Sequence, residues 1–300
     1  MVIKGKLSNS ALRSNIFAMG LLVPSILLIG FTILYPVIVA ARLSSTSYSL
    51  IKPDSDVFIN FKNYFNLFKD ELFWSALKNT IVIISLTILG GFTVGLSFAL
   101  LLNQKIVFRN FFRGIALIPW VIPGVVTSLL FLYMFNHNYG FINFVLKNLH
   151  IISTNINWFG NQKFALISII LAHIWTQFPF YMLMFLATLQ TIPNDIIEAA
   201  EIDGANLFKK FFYITLPYLR NIIVIATTLM VIWNFNAFDI IWATTKGGPA
   251  FSTTTLAIYV YKMAFTHYEL GYASSIGIAW LVILLIFSYF YIRLMEKKSR

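Results

Sequence analysis

The stretch NTIVIISLTILGGFTVGLSFALLLNQ, residues 79–104, runs from Lys78 to Lys105 without one charged side chain. A helix needs roughly 20 apolar residues to cross the hydrocarbon core of a bilayer, and a charge at its centre costs about 2.5–3.5 kcal/mol. Charge-free runs recur at 14–41, 114–146, 164–194, 221–238 and 270–292, each bounded by charged residues. The expectation is six spans. Closed β-barrels also cross lipid, but their strands alternate apolar and polar residues at every second position. Ile81-Val82-Ile83-Ile84 and Leu281-Val282-Ile283-Leu284-Leu285-Ile286 do not alternate. The fold class expected is all-α, a polytopic membrane protein with six transmembrane helices near 15–41, 77–102, 114–135, 164–189, 218–243 and 272–292.

Composition agrees with this reading. Of 300 residues, 59% are apolar and 11% charged, against about 25% charged in soluble domains. A chain so poor in charge cannot cover itself with a hydrated surface. The net charge of +11 suggests nucleic acid until its distribution is read. With six spans, both termini share one side with the connections near 103–113 and 191–220. That side carries thirteen of the 22 basic residues against five acidic ones, Asp195, Glu198, Glu201, Asp203 and Glu296. Short loops rich in Lys and Arg stay in the cytoplasm, so the basicity reports topology and no nucleic-acid partner is needed. The expected organisation is a cytoplasmic tail at 1–13, a transmembrane domain at 14–293 containing a cytoplasmic loop at 191–217, and a cytoplasmic tail at 294–300. The first apolar run is far longer than a signal peptide's h-region, so it reads as an uncleaved span. The chain has no cysteine, which excludes disulfides and thiolate metal sites.

Helix-disturbing residues concentrate in a few spans. Pro24 and Pro36 lie in the first, Pro119 and Pro123 in the third, and Pro179 in the fourth. Proline removes a backbone hydrogen bond, which membrane bundles tolerate where neighbours or cavity water satisfy the freed carbonyl. The pair Pro119 and Pro123 predicts an irregularity that lines a cavity. Gly91 and Gly95 form a GxxxG pair, read as a close helix contact. His173, inside the fourth span, reads as a helix–helix hydrogen bond rather than a proton relay. No phosphate loop, nucleophile elbow or HExxH pair occurs. No catalytic residue, metal site or cofactor is therefore expected, and any ATP is bound by a partner.

The most informative segment outside the spans is Ile192-Pro193-Asn194-Asp195-Ile196-Ile197-Glu198-Ala199-Ala200-Glu201-Ile202-Asp203-Gly204-Ala205. Pro193 ends a span, Asp195 and Glu198 have capping-box spacing, and Gly204 is a suitable stop. A helix this short cannot stand alone in water, so it must dock on another surface. Ala199 and Ala200 allow close approach, and Glu198, Glu201 and Asp203 offer acidic contacts.

Glu198-Ala199-Ala200, Asp203-Gly204-Ala205 and Ile214-Thr215-Leu216-Pro217 together resemble the EAA loop of bacterial ATP-binding-cassette importer permeases. Leu22-Val23-Pro24, Tyr35-Pro36, Asn63-Tyr64, Phe73-Trp74, Asn79-Thr80, Arg109, Phe112-Arg113, Pro119 and Pro123 extend the resemblance. Gly247-Gly248-Pro249, Thr254, Tyr259, Ala264-Phe265 and Gly271-Tyr272-Ala273 are similar to the carbohydrate-importer branch, the maltose and glycerol-phosphate type. Asn221 departs from the family, which often has a second proline there. The resemblance implies a type I importer permease fold without a cofactor in this chain. It implies as partners a second, different permease, two ATPase subunits and an extracytoplasmic solute-binding protein. It also implies that Glu198, Ala199, Ala200, Asp203, Gly204 and Ala205 couple to the ATPase.

The family's sugar-holding positions carry over to Trp120 and Gly124 in the third span, Gln177 and Phe180 in the fourth, and Asn234 in the fifth. The residues point to the same region, because Trp233-Asn234-Phe235-Asn236 and Phe238-Asp239 interleave rings with polar groups inside an apolar run. Asn236 joins the candidate set, while Asp239 is open to a second reading at the outer interface. Sugars need flat aromatic faces for C–H surfaces and amides for hydroxyls. No span has a basic residue near its centre, which favours a neutral oligosaccharide over glycerol phosphate. A channel, an ion-coupled carrier and a membrane-bound enzyme are the competing classes; the loop argues against the first two and the missing catalytic constellation against the third. Reporter fusions test the topology: those after Arg113 and Arg300 should report cytoplasm and one after Lys163 the exterior, and an external signal at Arg300 excludes the even span count.

Overall fold

The computed structural model describes residues 9–299, so the expected tails lie partly outside the described residues, with Lys4, Lys6 and Arg300 among those outside. In chain order the α-helices are α1 (Asn9–Ile29), α2 (Tyr35–Leu43), α3 (Lys62–Lys69), α4 (Glu71–Asn103), α5 (Arg109–Val121), α6 (Gly124–Met134) and α7 (Phe141–Asn148). They continue with α8 (Gln162–Leu189), α9 (Asn194–Ile202), α10 (Leu207–Lys210), α11 (Leu216–Phe235), α12 (Asp239–Thr244), α13 (Leu256–Tyr261) and α14 (Leu270–Ser299). Among the described residues, strand pairing amounts to two isolated bridges, Thr46 to Phe58 and Ser49 to Lys52. Among the described residues, five helical stretches are long and apolar enough to cross a membrane, and six if α5 and α6 count as one bent span. The all-α polytopic fold is thus as expected from the charge-free runs.

Three spans differ from their expected outlines, the second by starting six residues earlier, at Glu71. The third starts earlier, at Arg109, and is broken at 122–123, where α5 and α6 meet at 99°. Proline drives its predecessor into extended backbone, and Ile122 accordingly has φ −72° and ψ 127° ahead of Pro123. The prolyl irregularity expected there is real. The fifth span does not run on to 243: α11 stops at Phe235, and α12 restarts at Asp239 as a separate short helix. π-helical turns at Gly30–Leu34, Phe211–Thr215 and Lys262–Thr266 interrupt other stretches.

The chain divides into two compact units. One comprises residues up to Leu67 together with Lys262–Ile283. In it, the Asn63 amide donates to the Ser44 and Thr46 carbonyls at 2.9 and 2.8 Å, and the Tyr64 hydroxyl donates to Ser44 Oγ at 2.7 Å. Gly271 sits so close to this turn that a Cβ would fall 2.3 Å from the Thr46 carbonyl oxygen, and its N–H bonds Tyr48 O. The stretch Met19–Leu43 buries none of its side chains in the chain. What covers it, lipid or another subunit, lies outside this polypeptide.

The other unit comprises Phe68–Tyr261 and the chain from Leu284 onward. Its centre is the contact of α4 with α8. A Cβ on Gly91 would meet the Tyr181 ring at 3.1 Å, and one on Gly95 would fall 2.5 Å from Tyr181 Cβ and 2.8 Å from the Phe178 carbonyl oxygen. The GxxxG pair is therefore a packing device, as its spacing suggests. Around it Leu96, Ala99, Met182, Phe185, Leu189, Ala226 and Met230 form a buried cluster that joins α4, α8 and α11.

The start of α4 is tied to the segment that follows α12. Asp70 caps α4 by accepting from Leu72 N at 2.9 Å, and the Tyr259 hydroxyl donates to its other oxygen. The Asn79 amide donates to the Phe251 and Thr254 carbonyls at 3.2 and 3.1 Å, and Thr80 Oγ1 accepts from Leu256 N at 2.9 Å. Thr254 Oγ1 in turn donates to Gly247 O at 2.8 Å, where a φ of +86° requires glycine. Motif residues far apart in sequence thus form one hydrogen-bonded corner.

One expectation fails. His173 is buried in α8, but its Nε2 has no hydrogen-bond partner, so the expected helix–helix bond is not made at that atom.

Because the Gly95 contact involves backbone, it has little room to yield. Gly95→Leu should destabilise by about 1–3 kcal/mol, the usual range for overpacking. Thermal melts of the detergent-solubilised protein measure this, and an unchanged midpoint would contradict the contact.

Candidate functional site

Four elements of the larger unit bring the predicted membrane residues together. Gln177 and Phe180 are three residues apart on α8, hence on one helix face. Trp233 and Asn234 end α11, Trp120 ends α5, and Gly124 begins α6. The Phe180 ring lies 5.9 Å from Trp120 and 5.2 Å from Trp233, so three rings form a row. Phe180 is buried in the middle, while Trp120 and Trp233 keep exposed faces.

Beside the row, two amides clasp each other. Gln177 Nε2 donates to Asn234 Oδ1 at 2.9 Å, and Asn234 Nδ2 donates to Gln177 Oε1 at 2.8 Å. Asn234 Nδ2 also donates to the Met230 carbonyl at 2.8 Å, which uses both its amide hydrogens. Asn234 is buried at 3% exposure, and satisfaction of both hydrogens is what makes that burial tolerable. Gln177 is half-buried and is the member of the pair that reaches the open side. Asn236 is exposed just after the helix end, its amide 3.4 Å from the Ile232 carbonyl.

The two breaks adjoin. α12 packs on α6, and a Cβ built on Gly124 would lie 3.2 Å from Asp239 Cβ and 3.5 Å from its Oδ2. Trp233 and Asp239 were named from the sequence without being assigned to the substrate set. Their signal was already in the interleaving of rings and polar groups from 233 to 239, but only packing shows which of them adjoin the third span.

In the loop 191–217, expected on the cytoplasmic side, the short helix is α9. Its expected capping box does not form: Pro193 occupies the N-cap position without a side-chain bond, and Asp195 falls inside the first turn. There its charge still complements the helix dipole. The C-terminus is as expected. Gly204 has φ +74°, Gly204 N donates to Glu201 O at 3.0 Å, and Ala205 N donates to Ala200 O at 2.9 Å, closing a Schellman motif. Glu198, Ala199, Asp203 and Gly204 are exposed, whereas Ala200 and Ala205 are half-buried. Ile197 packs inward against the main cluster, while Ile202 is 88% exposed. A salt bridge from Lys210 Nζ to Glu201 Oε1 at 2.6 Å fastens α9 to α10. The result is a rigidly ended helix with a bare outer face.

The family of binding-protein-dependent transport system inner membrane components matches residues 91–300. The chain belongs to this family. It is a membrane permease subunit of an ABC importer, coupling to separate ATPase subunits, and it is not an enzyme. Its relatives put it on the family's carbohydrate-import branch. The sulfoquinovosyl glycerol transport system permease protein SmoG of Agrobacterium fabrum is 37% identical over 291 residues, covering 96% of this chain and 93% of that protein. The trehalose/maltose transport system permease protein MalF of Thermococcus litoralis is 36% identical over 239 residues, 79% of each chain. In fold, the permease resembles a chain of the bacterial alginate ABC transporter solved with an alginate pentasaccharide-bound periplasmic protein. That match has a TM-score of 0.84 at 20% identity, and it covers 97% of this chain and 98% of the other. Among the described residues, no group of His, Asp and Glu side chains could hold a metal ion.

Proposed function

We propose that this permease carries a neutral oligosaccharide inward past Trp120, Gly124, Gln177, Phe180, Asn234 and Asn236. The observation that carries the reading is the row Trp120–Phe180–Trp233 lying against the Gln177–Asn234 amide pair. Rings suit the C–H faces of a sugar, and the half-buried Gln177 amide suits its hydroxyls. A phosphorylated solute would call for Arg or Lys near the middle of a span, and the chain has none there. Of the two relatives, the trehalose/maltose permease fits a neutral substrate, whereas the sulfoquinovosyl glycerol permease is named for a sulfonated one.

In this reading Gln177 meets the sugar and Asn234 positions Gln177, because both Asn234 amide hydrogens are already used. The permease pairs with a second, different permease, two ATPase subunits and an extracytoplasmic solute-binding protein in the inner membrane, with both termini cytoplasmic. Residues 1–13 and 294–300 are its cytoplasmic tails, and 191–217 is its coupling loop. Through Glu198, Ala199, Ala200, Asp203, Gly204 and Ala205, α9 docks in a groove of the ATPase. Its exposed acidic face and closed C-terminus suit a basic partner surface.

Two experiments test this. With the reconstituted complex, uptake of maltose or trehalose should fall by about tenfold or more in Asn234→Ala, since the orphaned Gln177 amide costs about 1–3 kcal/mol. Uptake of a sugar phosphate alone would overturn the substrate while leaving the importer assignment intact. Glu198→Lys and Gly204→Pro should abolish uptake at unchanged membrane abundance, and wild-type uptake by either correctly inserted variant would overturn the coupling role.

A further inference from the structure

We propose that Asp239 faces the aqueous pathway and acts as its charge filter, accepting hydroxyl donors and repelling anionic solutes. The inference deepens the sugar reading above and rests on its placing of the pathway.

Depth comes first. α5 climbs thirteen residues from Arg109, about 20 Å at 1.5 Å per residue, before the third span breaks. Gly124 follows that break, and Asp239 lies against it, with Cβ 3.2 Å from where a Gly124 side chain would begin. Asp239 therefore lies against the break of the third span, which falls within the run 114–146 that carries no charge of its own.

Solvation comes next. A carboxylate facing lipid near the centre of a span costs about 2.5–3.5 kcal/mol, so such groups face protein partners or water-filled cavities. Asp239 is exposed, and among the described residues it makes no ion pair. Its solvent is assigned as water in the pathway; burial against the second permease would instead show as no reaction of the thiols below. The neighbouring start of α6 is a positive helix end, which steadies the carboxylate without neutralising it. Glycine at 124 is what permits this approach, since any side chain would press on Asp239.

The consequence is a fixed negative charge near the aromatic row. Low-dielectric walls focus such a field and change local ion concentrations by tenfold or more. Sugar hydroxyls can donate to the carboxylate, whereas carboxylate or phosphate groups on a solute are repelled.

The chain has no cysteine, so single thiols can be read without background from it. Ala237→Cys, two residues before Asp239, is placed in the full reconstituted complex, with Asn236→Cys as a second position. Each is reacted with a cationic and an anionic water-soluble methanethiosulfonate of similar size. Labelling is read by the mass of this chain, and rates are normalised to a free thiol. The cationic reagent should react about tenfold faster, and adding Asp239→Asn should reduce the preference to about twofold or less. A preference unchanged by Asp239→Asn, or no reaction at either position from water, would overturn the filter. Because this readout uses no sugar, an unchanged preference alongside impaired maltose uptake in Asn234→Ala would overturn the filter alone. Failure of the wild type to take up any neutral sugar would instead overturn the reading beneath it.

Discussion

In lipid, no water is available to satisfy a free backbone N–H or C=O, so a chain must satisfy these groups itself or stay next to something that does. This constraint turns the charge-free runs into helices and makes every interruption of a helix informative. The breaks at 122–123 and 236–238 are therefore not loose joints. They adjoin through the packing of α12 on α6, and the residues around them are the ones with exposed rings, amides and a carboxylate. A site for a polar solute and an irregular backbone need the same thing, a water-accessible space inside the bilayer. It is economical that both occur together.

The precision of that arrangement comes from the contact of α4 with α8. Gly91 and Gly95 let α4 approach the Tyr181 side chain and the α8 backbone, and the buried cluster spreads from there to α11. α8 is thereby held in one rotation, with Phe180 toward the tryptophans and Gln177 toward Asn234. The same helix leads through Pro193 into α9, so the element that carries Gln177 is continuous with the loop that carries the exposed face of α9. Ile197 anchors α9 to the buried cluster, and the Schellman closure with the Lys210–Glu201 bridge keeps it from fraying. Movement of α9 by a partner would be felt at α8 and α11 through packed side chains.

Motif residues divide into those that build and those that are offered outward. Asn63, Asn79, Thr80, Gly247, Thr254, Tyr259 and Gly271 spend their polar groups, or their lack of a side chain, on corners of the fold. Glu198, Asp203, Trp120 and Trp233 remain exposed. A motif read from sequence does not distinguish the two groups, because a buried hydrogen bond and a ligand contact favour the same residue types.

Several features were legible in the sequence alone because they depend on local, one-dimensional properties. The length of each charge-free run set the spans. Proline's missing N–H pointed to an irregularity at Pro119 and Pro123, which the structure narrows to 122–123, with Pro119 inside α5. Glycine's access to positive φ located the end of α9 at Gly204. Other features depended on which side chains meet across helices, and only the tertiary structure decided them. Hydropathy does not register the end of α11 at Phe235, since Asn236 to Phe238 are no more polar than their neighbours upstream. Asp195 could not be excluded as a cap until the helix was seen to start at Asn194, two residues earlier than a cap at Asp195 requires. Nor could the clasp of the Gln177 and Asn234 amides, or the approach of Asp239 to Gly124, be read before the packing was seen. Helical periodicity says which face a residue is on, but the partner of that face is set by packing between segments far apart in the chain.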